Sequence, residues 1–200
     1  MRRQLTLTAA IGAVLALCLA LPGCGDSDDA YSDGDTDASS NSTGMAVTAK
    51  ALVPTDAARL QPALRDNVDP AVIEKLIAKH TQMADAYPDR EETLKVENTP
   101  ESLKAFLAAV QADFASPEQT QIILHAATGA ELAEYAPDSP AYRFAGGAKT
   151  VAQQILNPDT TFYRISYVKP GEELGMSLDL LYWDGQQWSI LIKPWRGVID

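Results

Sequence analysis

Residues 161–193 read TFYRISYVKPGEELGMSLDLLYWDGQQWSILIK, and the fold class follows from how this stretch alternates. Apolar and polar side chains exchange at every second position, which is the period of a half-buried strand. Thr161 to Val168, Met176 to Trp183 and Gln187 to Lys193 are therefore predicted as three strands, joined by a loop at Pro170-Gly171 and a turn at Asp184-Gly185. If Arg164 lies opposite Asp179, then Ser166 meets Ser177, and Tyr163, Ile165 and Tyr167 share the other face with Met176, Leu178 and Leu180. A two-residue loop before the last strand would set Trp188 opposite Leu181, and a slip of one residue turns every side chain to the other face. A three-residue loop keeps Trp188, Ile190 and Ile192 beside Leu178, Leu180 and Tyr182. The expected product is an antiparallel meander with one strongly apolar face.

Working upstream, helix starts recur as a capping residue followed by proline: Asp69-Pro70, Thr99-Pro100, Ser116-Pro117 and Ser139-Pro140. Each is an N-cap with proline at the first helical position, and Ser116 with Gln119 also fits a capping box. After Asp69, the residues Val72, Ile73, Leu76, Ile77, Met83 and Tyr87 recur at helical spacing. After Thr99, Leu103, Phe106, Leu107, Val110 and Phe114 do the same, so both segments carry one buried stripe. Gln121 to Tyr135 reads as a helix interrupted at Thr128-Gly129, and Ala148 to Leu156 as a further helix after Gly146-Gly147. The fold class expected is α+β, with N-terminal helices packed on one face of a C-terminal antiparallel meander of about three strands. A single domain is placed at residues 50–200.

The beginning of the chain has another character. Met1-Arg2-Arg3 is a short positive start, and Leu5 to Leu21 carries no charge, which is the pattern of an export signal. Leu21-Pro22-Gly23-Cys24 resembles the lipobox of bacterial lipoproteins, with Pro22 a less usual occupant of the tolerant position. The resemblance implies cleavage after Gly23, removing residues 1–23, and lipidation of Cys24, with the membrane as partner through that lipid. Cys18 lies in the removed segment, so the mature chain has no second thiol for a disulfide. Gly25, rather than Asp, directly follows the cysteine, which for such lipoproteins implies the outer membrane, facing the periplasm. Residues 24–49 are read as a tether: Gly25 to Gly44 holds six Asp, no Lys or Arg and one aromatic, Tyr31. Such a composition buries too little apolar surface to offset its ordering entropy.

The helical first part, the final meander and the Tyr182–Trp188 hairpin resemble the cone-shaped nuclear transport factor 2-like and cystatin-like folds. That resemblance rests on no catalytic motif and implies no catalytic residue.

Chemistry is sparse. The whole chain carries 16 basic and 27 acidic side chains, net −11, and without Arg2 and Arg3 the exported part is more acidic still. A surface of that sign repels phosphate backbones, so no nucleic acid is expected as a partner. The two histidines, His80 and His125, stand at no metal-ligand spacing, and neither a phosphate loop nor a nucleophile elbow is present, so no metal and no cofactor are expected. His80 falls on the apolar stripe of its helix, where a histidine satisfied by the core is the simpler reading than a ligand. Arg164 and Asp179, flanked by Ser166, Ser177 and Ser189, could floor a polar pocket or simply be the solvent face of a half-covered sheet. Trp183 and Trp195 are the remaining candidates for contact with a partner, Trp188 being expected in the core. The reading reached is a tethered binding module for a protein or a small envelope ligand, of which an inhibitor or immunity protein is one form. The competing reading is an enzyme on a cone-like fold, using Arg164, Asp179 and a histidine.

Overall fold

A computed structural model describes residues 45–87 and 93–199; the signal, the lipobox with Cys24 and the acidic tether up to Gly44 lie outside the described residues. In chain order the elements are β1 (Met45–Ala46), α1 (Ala57–Leu60), α2 (Pro70–Ala84), β2 (Thr93–Leu94), α3 (Pro100–Ala109), α4 (Gln111–Phe114), β3 (Gln121–Thr128), α5 (Gly129–Glu134), α6 (Gly146–Gln154), β4 (Thr161–Val168), β5 (Gly175–Trp183) and β6 (Trp188–Ile190). Two proline-capped starts behave as read. Asp69 accepts from the Ala71 N–H at the head of α2, and Thr99 from the Ser102 N–H at the head of α3. Ser139-Pro140 opens only a short 3-10 turn.

Ser116-Pro117 is a correction, because no helix follows it. Gln119 caps Ser116 reciprocally, its side-chain oxygen taking the Ser116 N–H at 3.0 Å, but the chain then enters strand β3. Ile122, Ile123 and Leu124 favour a pleated surface, and β3 pairs antiparallel with β4 along its whole length, from Gln121↔Val168 to Thr128↔Thr161. The interruption at Thr128-Gly129 is where that strand ends and α5 begins. Thr128 and Glu131 form the capping box there, with the Thr128 N–H donating to the Glu131 carboxylate at 2.7 Å. The meander therefore has four strands, in the order β3-β4-β5-β6.

The register begins as expected, with Ser166 opposite Ser177 and Ile165 opposite Leu178, but Tyr163 pairs with Leu181. Asp179 and Leu180 together face Arg164, which makes a β-bulge, and a bulge reverses the alternation beyond it. Leu180 takes φ 61 in the left-handed region. That conformation costs a leucine about 1–2 kcal/mol, whereas burying its side chain contributes about 1.5–3 kcal/mol, so packing holds the bulge. The hairpin is corrected with it: Trp183 pairs with Trp188 and Leu181 with Ile190, so Trp183 lies on the face of Trp188 and not opposite it.

Both faces of the sheet consequently carry an apolar cluster that other elements cover. On one, Ile165, Tyr167, Leu181, Trp188 and Ile190 pack with Leu103, Phe106 and Leu107 of α3 and with Val47, Leu52 and Val53. On the other, Phe162, Leu180, Tyr182 and Leu191 pack with Leu60, Leu76, Leu132 and Val151 from α1, α2, α5 and α6. Two sheet tyrosines tie these layers down: the Tyr167 hydroxyl donates to the Leu107 carbonyl and that of Tyr182 to the Arg59 carbonyl, each at 2.9 Å. Val47 and Ala49, read from sequence as part of the tether, are fully packed at 1% and 0% exposure.

Candidate functional site

The C-terminal arm decides where the molecule is concave. β6 pairs with β5 only across residues 181–183, and the Leu191 N–H still reaches the Leu180 carbonyl at 3.1 Å. The next amide turns away, since the Ile192 N–H donates to Nε2 of His80 at 3.1 Å. That nitrogen must accept, so Nδ1 carries the proton and donates it to the Pro54 carbonyl at 3.0 Å. His80 is thus a neutral brace joining α2, the N-terminal segment and the C-terminal arm, the satisfied core histidine the helical stripe suggested. Burial, aided by the charges of Lys79 and Arg59 and opposed by the Pro54 bond, lowers its pKa from 6.5 to about 4.

Where the arm peels off, a cleft of about 380 Å³ opens between β5, α2 and the arm. Met176, Ser177, Leu178 and Asp179 all line it. Consecutive strand residues point alternately to opposite faces, so the cleft runs along the edge of β5 and not over one face. Its walls are apolar, with Met83 and Tyr87, Phe114 of α4, and Ile190 and Ile192 of the arm. Tyr87 and Phe114 meet edge to face with ring centroids 5.4 Å apart.

Its rim is positive. Lys79, Lys193 and Arg196 all line the cleft, and the ammonium of Lys79 donates to the carbonyls of Lys193 and Arg196, both at 2.8 Å. Partial burial and the neighbouring charges of Arg196 and Lys193 lower the pKa of Lys79. Among the described residues none of the three forms an ion pair with a carboxylate. The carboxylate that lines the cleft, Asp179, is committed elsewhere: Oδ1 lies 3.3 Å from Nη1 of Arg164 and takes the Ala145 N–H at 3.1 Å.

The four contact candidates from sequence are not brought together. Arg164 does pair with Asp179 and also donates to Ser177 at 3.1 Å, while Ser166 and Ser177 share a hydrogen bond at 3.0 Å. His125 sits across from Arg164 on β3, its pKa lowered by burial and by Arg143 and Arg164. The polar face therefore gathers a histidine, an arginine and a carboxylate, yet of these only Asp179 lines the cleft. Ser189 belongs to a different network, in which Arg59 donates to Asp184 at 2.7 Å and to the carbonyls of Ala51 and Val53, and Ser189 donates to Asp184 at 2.7 Å. Trp183 is half-buried, its ring 5.3 Å from that of Trp188, and borders a separate shallow groove with Tyr163 and Asn98. Trp195 packs over α6, where a Cβ on Gly147 would come within 2.3 Å of its ring.

Sequence reading missed Lys79, Lys193 and Arg196. The available signal was Lys193-Pro194-Trp195-Arg196, a basic turn placed straight after an apolar strand in an acidic chain. Among the described residues no cluster of three or more His, Cys, Asp or Glu side chains could hold a metal ion, and no helix is long and apolar enough to cross a membrane. Set against family models, characterised proteins and solved structures, the chain finds no match.

Proposed function

We propose that this chain is a lipid-anchored binding module of the bacterial envelope, held to the outer membrane through Cys24, with the cleft along β5 as its binding site. The observation that carries the reading is the cleft itself, an apolar concavity rimmed by three cations that have no carboxylate partner among the described residues, in a chain of net charge −11. Its size falls in the range of about 300–1,000 Å³ usual for ligand sites, and apolar walls with a few convergent polar groups are their usual make-up. The enzyme reading, on Arg164, Asp179 and a histidine, loses weight because the arginine and the carboxylate pair with one another, His80 has both ring nitrogens engaged, and neither Arg164 nor His125 lines the cleft.

The cleft is tested with anilinonaphthalene sulfonate, an aromatic anion, titrated into residues 24–200 carrying Cys24→Ser. Saturable fluorescence enhancement is expected, and Met83→Glu, which sets a carboxylate in the apolar wall, should abolish it. An enhancement equal in both proteins would overturn the assignment. The anchor is tested by palmitate labelling in cells, where equal incorporation into wild type and Cys24→Ala would remove the membrane from the account.

A further inference from the structure

One part of the cleft is not satisfied by its own lining. In an antiparallel sheet each strand directs alternate N–H and C=O groups to its two sides. β5 has β4 on one side from Gly175 to Leu181, but β6 and Leu191 cover its other side only from Leu180 to Trp183. From Met176 to Asp179, no main-chain group on that outer side meets a hydrogen-bond partner among the described residues. An open edge of this kind is a template for another strand.

We infer that this edge takes an extended peptide as an added strand, its apolar side chains lodged in the cleft and an acidic group held by Lys79, Lys193 and Arg196. The inference rests on the reading of the cleft as a binding site and narrows what it binds. An alkyl chain or a flat aromatic would fill the walls but bury the main-chain donors and acceptors of β5 without partners, whereas an added strand pairs them. The walls fix the pattern. Met176 and Leu178 point to the side of Tyr87 and Phe114, while Ser177 points to the opposite side with Asp179. A strand beside them must alternate likewise, apolar toward the first side and polar toward the second. Four residues of edge span about 13 Å, so the segment is short.

Charge selects among the occupants. Pairing β5 to β5 with a second copy would bring two cationic rims together in chains that already repel one another. The chain's own segment 25–44 supplies acid in its six Asp but, beyond Tyr31, only Ala30 and Ala38 as apolar side chains. A partner segment with both β-branched or aromatic residues and a carboxylate answers walls and rim together.

The test selects, on immobilised residues 24–200 with Cys24→Ser, from a pool of hexapeptides in which Val, Ile, Leu or Phe alternates with Thr or Ser and the last residue is Asp. The tightest member is then resynthesised in three further forms: N-methylated at its apolar residues, N-methylated at its hydroxyl residues, and with Lys for Asp. A strand added to one edge uses only alternate N–H groups. One methylated form should therefore lose affinity about tenfold, the worth of roughly one net hydrogen bond, while the other binds as the parent does. The Lys form should bind more weakly, and Arg196→Gln should weaken the Asp parent but not the Lys form. Failure of the pool to enrich, or equal binding by both methylated forms, would overturn strand addition. If the sulfonate dye still binds at the same time, the cleft stands as a site for another ligand class; if the dye fails too, the binding-site reading falls with it.

Discussion

Acidification from pH 7 to pH 4 should unload the His80 brace, and the size of the effect follows from its surroundings. The imidazole is fully buried, donates to Pro54 and accepts from Ile192, so a proton on Nε2 would displace the Ile192 N–H and add a charge beside Lys79 and Arg59. In the unfolded chain the ring protonates near 6.5; in the fold it resists until about 4. Between those values the unfolded state binds the proton and the native state does not, so stability is complete above about pH 6.5 and falls as pH drops toward 4. At about 1.4 kcal/mol per pH unit, the loss attributable to His80 is on the order of 3 kcal/mol. Urea melts of wild type and His80→Gln at half-unit intervals isolate it, because His125 and the carboxylates titrate in both proteins. The expected result is a wild-type curve that drops relative to the variant across that window. Since the same bond holds Ile192 away from β5, dye binding in the cleft should decline in parallel. A constant difference between the two proteins from pH 7 to pH 4, or a His80 ring resonance that titrates near 6.5, would refute the reasoning.

Asp184→Ala should cost about 3–5 kcal/mol, because it strands the half-buried Arg59 guanidinium without its carboxylate; chemical denaturation measures it. The same carboxylate is pushed up by burial but held below its ordinary value by Arg59, Ser189 and the amides of Gln187 and Gln186. Its contribution is therefore present at neutral pH and lost as pH falls through the depressed value, so stability curves of Asp184→Asn should be flatter below about pH 4. Trp188→Ala should cost about 3–5 kcal/mol, and Trp183→Ala less, since its ring is half-buried. Because the rings touch, the double variant should fall short of the sum, which a double-mutant cycle reads directly. Gly147→Ala forces the Trp195 ring off α6 and should lower stability by about 1–3 kcal/mol.

What was legible in the sequence was whatever is written in local periods and caps. Asp69-Pro70 and Thr99-Pro100 announce α2 and α3 because an N-cap is a local device, and the alternation in 161–193 announces strands because pleating is local. The bulge was not legible. Bulges of this kind are signalled by glycine where φ is positive, and here Leu180 occupies the position, held there by the apolar layer beneath it and by Arg164 reaching Asp179. One residue of slip then moves Leu180 and Tyr182 to one face and Leu181 and Trp183 to the other. A strand that reads as having one core face comes to serve two. β3 was hidden for the opposite reason: Ile122-Ile123-Leu124 is a continuous apolar run without alternation, and such a run can be a strand or part of a helix.

The candidate site depends on that same slip. Had β5 kept its alternation, Leu180 would have joined Met176 and Leu178 on the face of Tyr87, and nothing would have placed Leu191 in the opposite core. Because the bulge turns Leu180 over, Leu191 follows it to pack with Phe162 and Tyr182, and Ile192 is left at the point where the arm must choose between β5 and His80. The histidine takes the amide, and the arm carries Lys193 and Arg196 outward to meet Lys79, more than a hundred residues away in sequence. The cationic rim, the apolar wall and the open edge of β5 are thus consequences of one bulge and one buried imidazole. For that reason acidification and cleft binding are expected to move together.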